Sequence, residues 1–263
     1  KIKMNFIDLN EQFRLMETDI NAGIQKVFNN GNFIMGEEVE IFESQLSSFI
    51  DVKHTISCAN GTDALHLALM AIGVGPGDSV LTTTFSFFST AEAIRLVGAN
   101  PIFVDVDINT FNIDVEKVKS KIDDIFKEGK ILPKAIIAVD LFGLPANYPE
   151  LIKVAKKYDI KLVEDAAQGL GGEINGKIAG SYGDIATTSF FPAKPLGCYG
   201  DGGALFTNDN SYAEILRSLR VHGKGTNKYD NVRIGMNSRL DTIQAAILIV
   251  KLKSFKNEIK LRN

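Results

Sequence analysis

Cysteine is close to absent: Cys58 and Cys198 are the only two in 263 residues. Two thiols cannot build a disulfide framework, so a reducing, cytoplasmic setting is the expectation. Histidine is almost as scarce. His54, His66 and His222 are scattered and share no metal-ligand spacing with the cysteines, so no metal site is expected. An excess of charge is also missing, with 29 basic residues against 32 acidic ones and a net charge of -3. A nucleic-acid partner needs a basic face, and this balance does not provide one. No apolar run is long and charge-free enough to span a bilayer, so no membrane partner is expected. In the opening KIKMNFIDLN no apolar stretch follows the lysines, and a secretory signal is not expected there. What the chain does have is 45% hydrophobic and 23% charged residues. That suffices to bury a core, as one large domain or two smaller ones.

The middle of the chain alternates strand-like and helix-like segments. Strands are expected at 54–58, 80–83, 102–106, 135–142, 161–165, 186–190 and 203–207. The 135–142 run, AIIAVDLF, is apolar almost throughout, as a strand covered on both faces should be. Helices are expected from Gly61 to about Gly73, from Ala91 to Leu96, from about Pro149 to Tyr158 and from about Ser211 to Val221. Two further helices, about 11–29 and 37–49, precede the first strand. The polar stretch 123–134 reads as a surface connection. Residues 239–262 lack proline and glycine and read as one long helix. The pattern is α/β with a mainly parallel mixed sheet flanked by helices.

Three segments carry chemistry. In CANGTDALHLAL (58–69) a strand gives way to a helix through Asn60 and Gly61. N–H groups at a helix start favour an anion, Gly61 permits close approach, and Thr62 adds a hydroxyl. A plain helix cap would look the same. In VEDAAQ (163–168) Asp165 ends a strand, and a turn would bring Gln168 towards the same ligand. A solvated carboxylate is the plainer alternative. In SFFPAKPLGCYGDGGALFTND (189–209) Lys194 lies among phenylalanines, prolines and glycines. Such surroundings desolvate an ammonium and favour the neutral, nucleophilic amine. A surface lysine in a glycine-rich hairpin is the competing reading. Together the segments offer a phosphate cradle, an acid for a ring nitrogen and a nucleophilic lysine, which is what pyridoxal 5′-phosphate requires. No G-x-G-x-x-G follows the first strand, which excludes a plain dinucleotide-binding domain.

The order NGTDAL, EDAAQ, SFFPAKPLGCYGDGGALFTND and GMNSRLDTIQAAI (235–247) resembles the DegT/DnrJ/StrS family of sugar aminotransferases, from FIDLN (6–10) onward. The resemblance implies the aspartate-aminotransferase-like large domain of fold type I, over 1–238. It implies that 239–263 form a helix leading to a small C-terminal domain that this chain does not include. Lys194 then matches the Schiff-base lysine and proton shuttle, and Asp165 the partner of the pyridine nitrogen. Gln168 matches the neighbour of the cofactor's 3-hydroxyl. Gly61, Thr62 and Ser189 match the phosphate site, and Phe87 the ring stacked on the cofactor, with Phe85 and Phe88 close by. Asn237 matches an asparagine that reaches the phosphate from a second subunit, which implies a homodimer with shared sites.

The implied reaction is ping-pong transfer of an amino group from glutamate to a nucleotide-linked keto sugar. The wording around Lys194 is closest to enzymes acting on UDP-linked 3-keto hexuronic acids. Arg239 and Arg233 are candidates for the extra carboxylate, or for structural ion pairs. The chain departs from the family in having threonines at 82–84, where a proline is frequent. Sugar dehydratases related to the family carry histidine in place of the lysine, which Lys194 argues against. A regulatory or structural relative should have lost the lysine, the acid or the phosphate loop, and all are present.

Overall fold

The computed structural model describes residues 7–227 and 229–262. Lys1 to Phe6, where the opening motif and the resemblance begin, lie outside the described residues, as do Lys228 and Asn263. Two helices, α1 (Leu9–Asn30) and α2 (Glu37–Ile50), precede the first strand, β1 (His54–Cys58). Then come α3 (Gly61–Ala71), β2 (Ser79–Thr83), α4 (Ser89–Leu96), β3 (Asn100–Val104), α5 (Val115–Lys127) and β4 (Ala135–Val139). After a 3-10 turn (Leu141–Gly143) follow α6 (Tyr148–Tyr158), β5 (Lys161–Asp165) and a short hairpin of β6 (Glu173–Ile174) and β7 (Lys177–Ile178). The chain continues with β8 (Ile185–Ser189), β9 (Gly203–Thr207), α7 (Asn210–Leu219) and α8 (Thr242–Arg262). The helix starts are locally encoded. Asp8, Asn60, Asp114 and Asp209 each accept a backbone N–H from the first turn of the following helix.

The main sheet runs β1-β9-β8-β5-β4-β2-β3. Only β9 is reversed, antiparallel to β1 and β8; the other neighbours pair in parallel. The sheet is therefore mainly parallel, as the alternating pattern predicts. One edge collects the carboxyl ends of β1, β8, β5, β4, β2 and β3, together with the start of β9. Successive residues of β4 alternate between two cores. Ala135 and Ile137 face a cluster with α3, α4 and α7. Ile136 and Ala138 face a cluster with α5 and α6. Ala186, Ala204 and Phe206 pack instead on Val39, Phe42 and Leu46 of α2 and Leu248 and Phe255 of α8. Helices thus cover both faces, which is why β4 is buried at every position.

Four of the boundaries that differ from the sequence reading have a clear local cause. The polar 123–134 stretch begins inside α5, whose Val115, Val118, Ile122 and Ile125 form a buried stripe. Dense lysines and aspartates on its outer face hide that stripe. β4 stops at Val139 rather than running through Phe142, because its partner β5 ends opposite it at Asp165. β3 stops at Val104, where β2 ends at Thr83. The last helix begins at Thr242, not Arg239, because Thr242 N–H is held by Phe33 O (3.0 Å) and Asp241 bridges to Ile34. No helix among the described residues is long and apolar enough to cross a membrane.

Candidate active site

A cavity of about 540 Å³ opens at the carboxyl edge of the sheet. Its walls include Gly61 and Thr62 from the start of α3, Asp165 and Gln168 after β5, Ser189 at the end of β8, Lys194 in the β8–β9 loop, and Phe87 before α4. Seven of the residues singled out in the sequence therefore meet in one place. The parallel topology explains this, because strand ends distant in sequence converge on one edge.

The anion end is built by close approach. A Cβ on Gly61 would come 2.6 Å from Cβ of Ser189, so only glycine lets α3 start against β8. A Cβ on Gly203 would similarly meet the Asn60 carbonyl at 2.5 Å. Asn60 Oδ1 accepts the Asp63 N–H (2.8 Å) and Asn60 O accepts the Ala64 N–H (3.0 Å). The N–H groups of Gly61 and Thr62 are left for an external acceptor. Ser189 Oγ accepts the Phe191 N–H (3.2 Å), so its own proton is free to donate.

Asp165 lines the same cavity and is 4% exposed. Its Oδ2 accepts the Thr90 hydroxyl (3.2 Å) and its Oδ1 the Ala167 N–H (3.1 Å). Burial pushes its carboxyl up, with the Ala167 N–H, the Lys194 charge and Thr90 acting in the opposite sense. Thr90 in turn meets the Ser86 hydroxyl at 3.0 Å. The Ser86–Thr90 pair was not foreseen, since two hydroxyls four residues apart carry no distinctive signal. Gln168 Oε1 accepts the Phe142 N–H (2.9 Å), which fixes the amide orientation and leaves Nε2 as a donor.

Lys194 stands on a loop pinned to itself. Phe190 N–H reaches Gly202 O (2.7 Å), Cys198 N–H reaches Phe190 O (2.8 Å) and Lys194 N–H reaches Phe191 O (2.8 Å). A Cβ on Gly197 would collide with the Pro192 carbonyl, so the turn needs glycine there. Burial lowers the affinity of Lys194 for its proton, and the Asp165 charge partly restores it.

Of the three neighbouring phenylalanines, Phe87 alone lines the cavity. Phe85 instead forms ring contacts with Phe111 and Phe142, at 5.7 and 6.2 Å between centroids. Asn237 and Arg239 line an adjoining cavity that shares Asn60 and Asp201 with the first. There Arg239 donates to Asn237 Oδ1 (2.6 Å). Arg233 lines neither cavity.

Residues 15–263 match the DegT/DnrJ/EryC1/StrS aminotransferase family. The chain belongs to that family, and the expectation of an enzyme of the sugar aminotransferase class is met at that level. It is 47% identical, over 98% of its own length and 70% of the relative's, to a UDP-2-acetamido-2-deoxy-3-oxo-D-glucuronate aminotransferase of Pseudomonas aeruginosa. A solved DegT DnrJ EryC1 StrS aminotransferase from Brucella abortus superposes with a TM-score of 0.95 at 51% identity, covering 97% of this chain and 68% of that one. NtdA from Bacillus subtilis, solved with bound cofactor PMP, gives a TM-score of 0.89 at 32% identity, covering 97% of this chain and 57% of that one. The chain spans 63% to 70% of the length of the first three curated relatives it matches.

Proposed function

We propose that the protein is a pyridoxal-phosphate-dependent aminotransferase that moves an amino group from glutamate to a keto group of a nucleotide-linked sugar. The carrying observation is that Lys194, the buried acid Asp165 and the uncapped N–H groups of Gly61 and Thr62 line one cavity. The residues fit the cofactor: the close approach at Gly61 leaves an anion cradle, and a carboxylate and an amine line the same cavity. When bound, the cofactor supplies a protonated ring that accepts the electron pair left by a departing Cα proton.

The chain's own residues do the rest. Gly61, Thr62 and Ser189 would hold the phosphate. Asp165, as an anion, would keep a proton on the ring nitrogen. Gln168 Nε2 would donate to the ring's 3-oxygen, and Phe87 would lie against a ring face. Lys194 Nζ would hold the cofactor, and once released would carry the proton from the amino-bearing carbon to the cofactor's C4′, and in the opposite direction in the second half-reaction. Its lowered proton affinity serves this base role.

Asn237 lies outside the Lys194 cavity with its Nδ2 free to donate, which suits a contribution to the site of a second copy. Mixing inactive Lys194 and Asn237 variants is expected to restore part of the activity. Absence of rescue under conditions of subunit exchange counts against a shared site.

The 47% identical Pseudomonas relative supports a UDP-linked 3-keto hexuronic acid as the substrate. Arg239 is then the better placed partner for its carboxylate, since it lines the adjoining cavity and Arg233 does not. Both cysteines are buried and unbonded, in keeping with work in the cytoplasm. The test is incubation with glutamate and a panel of UDP- and dTDP-linked keto sugars. A product mass showing amination of the UDP-3-keto hexuronate is expected; amination of only a dTDP sugar would overturn the substrate assignment.

A further inference from the structure

We propose that Asp140 and Glu164 are positioning residues of this site: a buried carboxyl pair that shares one proton and braces the ends of β4 and β5 beneath Asp165 and Gln168. Both side chains are completely buried. The register explains how two acids meet there. Ala138 pairs with Glu164 and Val139 with Asp165, so Asp140 is the next residue beyond the ladder.

Each acid is held from its outer side. Glu164 accepts the N–H groups of Gly180 (2.5 Å) and Tyr182 (2.7 Å). Asp140 Oδ1 accepts the Tyr148 hydroxyl (2.7 Å) and the Ala146 N–H (3.0 Å). Asp140 Oδ2 is buried and has no donor. The two carboxyls are within hydrogen-bonding reach of each other. Two carboxylates at that distance cannot both stay ionised, and one proton between them supplies the donor that Oδ2 lacks.

The pair touches the site without lining it. Asp140 N–H donates to Asp165 O (3.0 Å). A Cβ on Gly169 would collide with Cβ of Asp140, so the turn that carries Gln168 rests directly on Asp140. Two residues on, Phe142 N–H fixes the Gln168 amide from the same turn. Phe142 adopts φ 57, a strained value for a side chain of that size, and Asp140 anchors the turn that imposes it.

Burial raises the Asp140 carboxyl to about 7 and Glu164 well above its usual range. The ionisable groups acting on the pair are Tyr148 from α6, Asp165 from β5 and Tyr182 after β7, and no cation is among them. The pair itself does not depend on the cofactor reading; its effect on Asp165 and Gln168 does.

Asp140→Asn separates the shared proton from the packing. Asparagine keeps an acceptor for Tyr148 and Ala146 and points a permanent N–H donor at Glu164. The folded acid binds its proton more tightly than the unfolded one. Wild type therefore loses stability from this group as pH rises from the ordinary carboxylate range to about 7, and no more above it. Asp140→Asn lacks that loss. Unfolding midpoints of the cofactor-free protein are expected to converge at about pH 4 and to favour Asp140→Asn progressively up to about pH 7. Parallel curves for the two proteins would overturn the shared proton.

The positioning role is read separately on cofactor-loaded protein. Asp140→Ala is expected to lower kcat at least about tenfold with little change in KM for glutamate, and Asp140→Asn to restore most of it. Equal kcat in wild type and Asp140→Ala would remove the positioning role. Failure of wild type to take up pyridoxal phosphate would instead overturn the cofactor reading, leaving the unfolding curves to decide on the pair.

Discussion

Lys194→Ala is expected to abolish the borohydride-reducible attachment of pyridoxal phosphate and to lower transamination by about 10³-fold or more. The size follows from two roles lost together, covalent attachment and proton transfer, the second alone worth about 10²–10⁴-fold. No substitute stands nearby. Among the described residues lining the cavity, the other titratable side chains are Asp165 and Asp201, both acids. Cofactor uptake itself should persist weakly, because the Gly61, Thr62 and Ser189 cradle is untouched. The check is absorbance before and after borohydride, with mass spectrometry of the labelled peptide. Reducible attachment that survives in Lys194→Ala, or a label on another residue, would end the assignment.

Asp165→Asn should leave the cofactor bound and cut turnover by about 10²–10³-fold, equivalent to ~3–4 kcal/mol in the barrier. Asparagine cannot keep the ring nitrogen protonated by charge, so the electron sink is weakened. The fold should tolerate the change. Asn Oδ1 still accepts the Ala167 N–H, and Thr90 can turn to accept from Nδ2 while donating to Ser86. Burial raises the Asp165 carboxyl, so its ionised form opposes folding near neutral pH, and the variant's unfolding midpoint there should equal or exceed that of wild type. Because the Asp165 charge helps Lys194 hold its proton, the free Lys194 amine should lose its proton at lower pH in the cofactor-free variant. Near-normal turnover in Asp165→Asn would remove its proposed role.

The gathering of Lys194, Asp165, Gly61 and Thr62 in one cavity was readable because each lies in a short contiguous motif at a strand end. Apolar runs such as AIIAV made the parallel sheet readable in the same way. What the sequence hid was brought together by register or by helix geometry. Thr90 reaches Asp165 across 75 positions, and nothing local marks it. Asp140 and Glu164 read as ordinary charged residues; only the pairing of β4 with β5 buries them side by side. α5 was concealed by its solvated face, and the two-residue strands β6 and β7 are too short for alternation to register.

The reversed strand β9 has a bearing on how such a protein can diversify. A parallel crossover between β8 and its neighbour would need a long excursion, which can lengthen or shorten at little cost. The antiparallel β8–β9 step instead returns directly, with Ser189 paired to Gly203 at the root of the Lys194 loop. The loop between them is tied to itself by the Phe190–Gly202 and Cys198–Phe190 bonds, which an insertion beside either would strain. Lys194 is thus held against drift in loop length. Changes at the exposed Phe85, Phe88, Val232 and Ile234 would leave that loop intact.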